Sequence, residues 1–313
     1  MERGQILSVY LLIVGVLIMS NISLKSKNTI AKIVFFGTII AMAFIVGARA
    51  FTVGHDTANY ANIFSEVIHF DFSQLFTTKV YDDIEKGYMV LQWLFGKISP
   101  NPVHFFMAIA FFEYIAIGIW IWKNSKKPFL SLIIFFCMFF TFFLTGIRQS
   151  IAITILMLSY DDIKKNKIAP FLIKVFIATL FHTTAIVFIP AFFINKLKKT
   201  LKYFVAAVLL FPVVYIARNT IFVSIVTQFD KYSDYEILDH GDAITFTLLL
   251  FVVAIAAQFL LRVGKKFPKE EEHEYVFFCN MVSVSLLIMP FVGLNGTFTS
   301  GYVLFHLCLP SCY

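Results

Sequence analysis

Apolar runs alternate with short lysine-rich connections along most of the chain. A helix that crosses about 30 Å of hydrocarbon needs about 20 apolar residues. The runs 5–20, 30–48, 103–122, 128–145, 202–217, 243–261 and 275–294 approach that length. Shorter apolar pieces occupy 88–98, 147–160, 168–181, 183–195 and 301–313. A piece of about 14 residues reaches only about 21 Å as a helix. Such pieces are either spans lengthened by their flanks or half-helices lining a cavity, and interrupted segments of this kind point to a binding site. The pattern predicts an all-α, polytopic transmembrane helical bundle of about ten spans. In it, 88–98 is a re-entrant or half-helix, and residues 1–313 form a single integral membrane domain.

The lysines orient the bundle. Basic residues gather at Lys25, Lys27 and Lys32, at Lys123, Lys126 and Lys127, and at Lys164, Lys165 and Lys167. Two further groups are Lys196, Lys198, Lys199 and Lys202, and Arg262, Lys265, Lys266 and Lys269. All five connections fall on one face if 88–98 enters the membrane without crossing it, and that face is expected to be cytoplasmic. The amino terminus is then outside, with the first run expected to serve as a signal-anchor-like span, since it lacks a basic leader and a small-residue cleavage site. The large outer loop 49–87 and the segment 229–242 fall on the outer face. Both are acidic, through Asp56, Glu66, Asp71, Asp82, Asp83 and Glu85 in the first and Asp230, Asp234, Glu236, Asp239 and Asp242 in the second. A connection as long as 49–87 is usually functional or disordered, and its aromatic residues argue against disorder. Any chemistry is therefore expected outside the cytoplasm.

Composition agrees with the pattern. The chain is 59% hydrophobic, 18% aromatic and 14% charged, against about 45–50% apolar and about 25% charged in soluble domains. Its mean hydropathy is +0.81. These values exclude a cytosolic enzyme, a disulfide-stapled secreted scaffold, a disordered chain and a nucleic-acid-binding domain. The net charge of +7 reads as membrane topology rather than as a basic patch. Cys137, Cys279, Cys308 and Cys312 have no metal-ligand spacing. There is no phosphate-binding glycine loop, dinucleotide fingerprint or zinc motif, so neither a cofactor nor a metal is expected.

Four clusters carry candidate chemistry. The first is Arg49-Ala-Phe-Thr-Val-Gly-His-Asp-Thr-Ala-Asn-Tyr60, where the run 30–48 meets the outer loop. Gly54 suits a turn and Asp56 can cap the helix that follows. On that helix Asp56 and Tyr60 share a face, as do His55 and Asn59. The plain reading is a capped amphipathic helix lying on the membrane, with Arg49 snorkelling to the phosphates. The second cluster is Glu85-Lys-Gly-Tyr88, leading into 88–98.

The third cluster is Thr145-Gly-Ile-Arg-Gln-Ser150, between two strongly apolar runs. An ionisable residue embedded among spans marks a functional site. The planar fork of Arg148 suits two phosphate oxygens at once; the alternative is an arginine at an interfacial helix end. The fourth cluster is Leu180-Phe-His-Thr-Thr-Ala185. There His182 is either an acid or base near neutral pH or a cap on a helix turn. Glu113, near the middle of 103–122, must be buried, neutral or paired; a structural partnership with a buried cation is favoured over a proton path. Arg218, Tyr232, Tyr235 and His240 are further candidates for substrate contact.

Taken together, the clusters resemble the EpsG-like family of bacterial polysaccharide polymerases, relatives of the Wzy-type O-antigen polymerases. The matching pieces are Arg49 with Gly54-His-Asp56 and Tyr60, then Glu85-Lys-Gly-Tyr88, then Gly146-Ile-Arg-Gln149, then Phe181-His-Thr-Thr-Ala185. Their order and spacing cover roughly residues 40–195, and the last third matches as hydropathy. At Asn295-Gly-Thr-Phe-Thr-Ser-Gly-Tyr302 the arginine of such polymerases is absent, and the carboxyl end is expected to be shortened.

The resemblance implies a multi-pass glycosyltransferase of the bacterial cytoplasmic (inner) membrane, with its active site facing outside the cytoplasm. It would transfer a growing glycan from an undecaprenyl-diphosphate carrier onto the next lipid-linked repeat unit. The implied partners are the undecaprenyl-diphosphate-linked glycan, membrane lipid and a chain-length regulator protein. Arg148 and Arg49 would meet the developing pyrophosphate charge. His182 is the first choice of base for the incoming hydroxyl, with Asp56 and Glu85 next. His55, Tyr60, Gln149 and Arg218 join Arg49 as expected substrate-binding residues. Two alternatives remain: a lipid-linked glycan transporter (flippase) with Glu113, Lys174 and Arg148 along its path, and an O-antigen-ligase-like or acyl-transferring enzyme.

Overall fold

The structure, a computed structural model, describes residues 28–54, 56–198, 200–226, 244–263 and 269–292. Among these residues there are helices and connections but no strand. The chain is an all-α polytopic helical bundle. Among the described residues, five helices are long and apolar enough to cross a membrane: Thr29–Gly47, Pro102–Asn124, Pro128–Thr145, Thr200–Ser224 and Glu272–Val292. They correspond to the runs 30–48, 103–122, 128–145, 202–217 and 275–294. The run 243–261 is also helical. The runs 5–20 and 301–313, the segment 229–242 with Tyr232, Tyr235 and His240, and the stretch 295–302 lie outside the described residues.

The described residues fall into two compact units. The first holds residues up to Lys79 together with Ile84–Leu158. Its helices are α1 (Thr29–Gly47), α2 (Thr57–Val67), α3 (Gln74–Thr77), α4 (Lys86–Gly96), α5 (Pro102–Asn124), α6 (Pro128–Thr145) and α7 (Ile147–Met157). α1 starts on Asn28, whose side-chain oxygen accepts the Ala31 N–H at 2.8 Å, and α5 starts on Asn101 in the same way, accepting from Val103 at 2.9 Å. Each cap satisfies a donor that has no partner inside its helix.

α1 packs along α5 at two small residues. A Cβ on Gly47 would stand 2.6 Å from Met107 Cα, and one on Gly118 2.9 Å from Ile39 Cγ1. Such close approach suits helices that associate in lipid by packing. Aromatic rings fill the rest: Phe64 stacks on Phe105 at 4.9 Å, and Tyr114 meets Phe135 edge-on at 6.0 Å. Meanwhile Ile33, Ile40 and Phe44 of α1 point outward and are exposed, as expected of a lipid-facing surface. The connection 49–87 carries two helices, α2 and α3, joined by turns. α4 has 11 residues, about 16 Å of helix, so it falls well short of a crossing.

The second unit holds Val80–Asp83 and the residues from Ser159 onward, with α8 (Tyr160–Lys164), α9 (Ile168–Thr179), a 3-10 turn (Thr183–Phe188), α10 (Pro190–Ile194), α11 (Thr200–Val226), α12 (Ile244–Val263) and α13 (Lys269–Val292). α11 and α12 both pack on α13. The Tyr160 ring stacks on Phe278 at 5.4 Å, Lys164 pairs with Glu274, and Asn195 Nδ2 donates to the Ile163 carbonyl at 2.9 Å. Lys174 Nζ holds Asp162 at 2.5 Å. The short pieces 168–181 and 183–195 are thus broken helices, interrupted by extended backbone at His182 (φ −155°, ψ 114°).

Candidate functional site

The site of the first unit is organised around the break between α6 and α7. Gly146 ends α6 and precedes α7, which puts Arg148 on the opening turn of the short helix. Arg148 Nη1 donates to Glu85 Oε2 at 2.5 Å and its Nε to the Tyr60 hydroxyl at 3.2 Å. The guanidinium also stands 5.8 Å from the Tyr60 ring centroid. Glu85 is 6% exposed and Arg148 19%, so a nearly buried carboxylate holds a cation that solvent still reaches. Three segments distant in the chain meet here: α2, the start of α4 and the start of α7. Tyr60 leans edge-on against Tyr88 at 5.7 Å. Burial pushes the Tyr60 phenol above its ordinary pKa against the pull of Arg148, so it remains a neutral hydroxyl at neutral pH.

Arg49 lies just beyond α1 and does not snorkel outward as the plain reading expects. It is 9% exposed. Nη1 donates to the Val46 carbonyl at 2.8 Å and Nη2 to the Leu144 carbonyl at 3.1 Å. Helix C-termini present unpaired carbonyls and partial negative charge, which a guanidinium complements. The pull of two helix ends therefore wins over the lipid phosphates. Burial lowers the Arg49 pKa from its usual value, opposed chiefly by Glu113.

The loop after Arg49 is pinned at the same carbonyl. Gly54 has φ +94°, and a Cβ there would come within 2.6 Å of both the Leu144 carbonyl oxygen and Thr57 Oγ1. Only glycine tolerates both the backbone angle and the approach. Asp56 stands at the N-cap position of α2 but makes no side-chain capping bond, contrary to expectation. Its backbone is αR (φ −99°, ψ 0°) rather than the extended conformation that caps favour. The neighbouring Thr57 ties the turn instead, donating to the Val53 carbonyl at 2.7 Å. Asp56 is half-buried, and its charge acts on the Tyr60 hydroxyl.

Of the remaining expected residues, His55 lies outside the described residues. Gln149 follows Arg148 on α7 and folds back over Gly146, its Oε1 3.3 Å from where a Cβ would stand. His182 and Arg218 belong to the second unit. His182 is 3% exposed and links α9 to the 3-10 turn, its N–H donating to the Ala178 carbonyl and its own carbonyl accepting from Ala185, both at 3.0 Å. Arg218 lies within α11 with its guanidinium 4.1 Å above the Tyr215 ring. The structure thus brings Arg148, Glu85 and Tyr60 into one contact, with Asp56, Arg49 and Gln149 in the same unit.

The polar interior of this unit extends further than the four clusters. Glu113 accepts the Ser150 hydroxyl at 2.5 Å, linking α5 to the helix that carries Arg148, and the Arg49 charge acts on it. Tyr88 and Gln92 on α4 are fully buried. Gln92 escaped the sequence reading although a signal existed, namely an amide four residues after Tyr88 inside an apolar half-helix. Among the described residues, no three His, Cys, Asp or Glu side chains are grouped to hold a metal. The arrangement presents a braced guanidinium to an anion, with a neutral phenol and carboxylates beside it.

No curated protein and no solved structure matches the chain. The EpsG family model matches residues 32–308, most of the chain. The chain belongs to the EpsG family, a family of Wzy-type polysaccharide polymerase-like membrane proteins.

Proposed function

We propose that the chain polymerises lipid-linked oligosaccharide repeat units on the outer face of the bacterial cytoplasmic membrane. Glycan would pass from an undecaprenyl-diphosphate carrier to an acceptor repeat unit. The observation that carries this reading is the Arg148–Glu85–Tyr60 contact in a chain of this family. The donor already holds an activated sugar–pyrophosphate bond, so the reaction needs no nucleotide. The bond between the anomeric carbon and the pyrophosphate oxygen breaks, the acceptor hydroxyl oxygen bonds to that carbon, and its proton goes to a base. Undecaprenyl diphosphate leaves with the negative charge.

Arg148 is assigned to that charge, since a preorganised cation is most effective where charge develops. Glu85 and Tyr60 fix the plane of its guanidinium, and Glu85 acts as a positioning residue. Committed to Arg148, Glu85 is a poor base. His182 is the first assigned base for the proton, with Asp56 second. Arg49 shapes the loop 49–57 rather than gripping phosphate directly. Lipid surrounds the bundle, and a chain-length regulator protein is the proposed protein partner.

The test is the chain-length ladder of surface polysaccharide in a polymerase-null host that carries the matching gene cluster. The chain should restore the ladder and Arg148→Ala should leave single repeat units. Full polymer length with Arg148→Ala, at confirmed membrane expression, would remove the central role. A single-unit product from the wild-type chain in that host would remove the polymerase reading itself.

A further inference from the structure

α4 carries a polar stripe through an otherwise apolar helix. Glu85 sits at its N-cap, and Tyr88 and Gln92 follow three and seven residues later, a spacing that keeps them on one face. Tyr88 and Gln92 are both 0% exposed. The Tyr88 hydroxyl and both amide atoms of Gln92 have no hydrogen-bond partner among the described residues. A primary amide offers two donors and two acceptor lone pairs. Burying one unpaired is costly, and folded proteins pair nearly all such groups. The stripe is also locked in direction. Trp93 Nε1 donates to the Phe70 carbonyl at 2.8 Å, and a Cβ on Gly96 would collide with Ile68, so α4 is pressed against the end of α2 and cannot roll its amide outward.

The stripe leads away from the Arg148 contact. Glu85 grips Arg148, and Tyr88 leans on Tyr60 within electrostatic range of Arg148 and Arg49. Arg49 Nε is a further buried donor without a hydrogen-bond partner. Tyr88 and Gln92 stand about 4.5 and 10 Å along the helix axis from Glu85. Unspent donors and acceptors therefore continue inward from the cation that the polymerase reading assigns to pyrophosphate.

We propose that Tyr88 and Gln92 form a subsite for the hydroxyls of the sugar attached to that pyrophosphate, the reducing-end residue of the donor glycan. The proposal rests on the polymerase reading and deepens it. A sugar hydroxyl is donor and acceptor at once, as is a phenol, and an amide matches two neighbouring hydroxyls by giving to one and taking from the other. Gln92 and Tyr88 are thus specificity-determining residues for the donor, distinct from the charge-bearing Arg148.

The test uses the full chain purified in lipid nanodiscs and titrated with two probes. One is undecaprenyl diphosphate; the other is the carrier-linked repeat unit extracted from a host bearing the matching gene cluster. The wild-type chain should bind both, the glycosylated carrier more tightly. Gln92→Leu should keep undecaprenyl diphosphate binding within about twofold and lose about fivefold or more for the glycosylated carrier, on the scale of one lost hydrogen bond. Its ligand-free melting temperature should not fall, because an apolar side chain of similar size removes an unpaired buried amide. Should that variant not fold, Tyr88→Phe carries the same test. Equal binding of the glycosylated carrier by variant and wild type overturns the subsite, as does an equal loss for both probes. A wild-type chain that binds neither probe overturns the polymerase reading and the subsite with it.

Discussion

Arg148 and Glu85 form an ion pair at 2.5 Å across 63 residues of sequence. Neither partner is replaceable by deletion alone, because removing one leaves the other charged and largely buried, at a cost of about 3–5 kcal/mol before allowance for the partial exposure of Arg148. Arg148→Lys separates stability from function. The lysine still neutralises Glu85 but loses the planar fork. We expect near-normal membrane expression with polymer yield down about 100-fold, the scale on which a preorganised donor contributes. Radiolabelled polymer from isolated membranes measures it, and yield within about threefold of wild type, where an Arg-to-Lys change would be conservative, argues against a charge-stabilising fork.

Tyr60→Phe keeps the ring against Tyr88 and removes the hydroxyl that accepts from Arg148. A hydrogen bond to a charged group contributes about 1.5–3 kcal/mol, fewer when partly wet, so the variant should melt several degrees lower at pH 7. Because burial raises the phenol pKa in the folded chain, this contribution is whole below about pH 10, the ordinary tyrosine value. It diminishes as pH rises from there toward the folded value. Melting curves of wild type and variant should converge above about pH 10; a constant gap up to alkaline pH contradicts the buried phenol.

Gly54→Ala asks a side chain to adopt φ +94° and to overlap the Leu144 carbonyl oxygen. Strain of this kind costs about 1–3 kcal/mol before the clash is counted. We expect a lower melting temperature together with shorter polymer, since the loop that delivers Tyr60 must shift. An unchanged ladder and melting curve would show the turn to be tolerant.

Ser150→Ala removes the hydroxyl that Glu113 accepts and leaves a buried carboxyl group short of a partner, at about 1–3 kcal/mol. Glu113→Gln retains an acceptor for Ser150 and should be the milder change. Protease resistance of the two variants in detergent would rank them. The reverse order would mean that the interaction of Glu113 with Arg49 matters more than the Ser150 bond.

The helical runs were legible because hydrocarbon demands length and apolarity, which are local properties of sequence. α5 and α6 follow their runs to within a few residues, and α4 is short, as the piece 88–98 foretold. The partners of charged side chains were less legible. Arg148 could be singled out from its apolar flanks, but nothing in the spacing of Tyr60, Glu85 and Arg148 discloses that they touch. The snorkelling expected of Arg49 fails because its acceptors are backbone carbonyls, one of them 95 residues away, and carbonyls leave no trace in residue type. The capping expected of Asp56 fails because Thr57 competes for the same turn. The roles of His182 and Arg218 rest on motif position and residue type, which geometry within the first unit does not touch.

The carbonyl of Leu144 serves both the Arg49 guanidinium and the Thr57 hydroxyl. One side of this fastening is main chain, so no exchange of the side chain at 144 can delete it. The joint leans on its donors: an apolar exchange at 144 leaves the carbonyl in place, while 49, 54 and 57 supply the guanidinium, the turn and the hydroxyl that reach it. In any set of diverged relatives, the mark of this joint would be variation at the acceptor beside constancy at its donors and at the glycine between them.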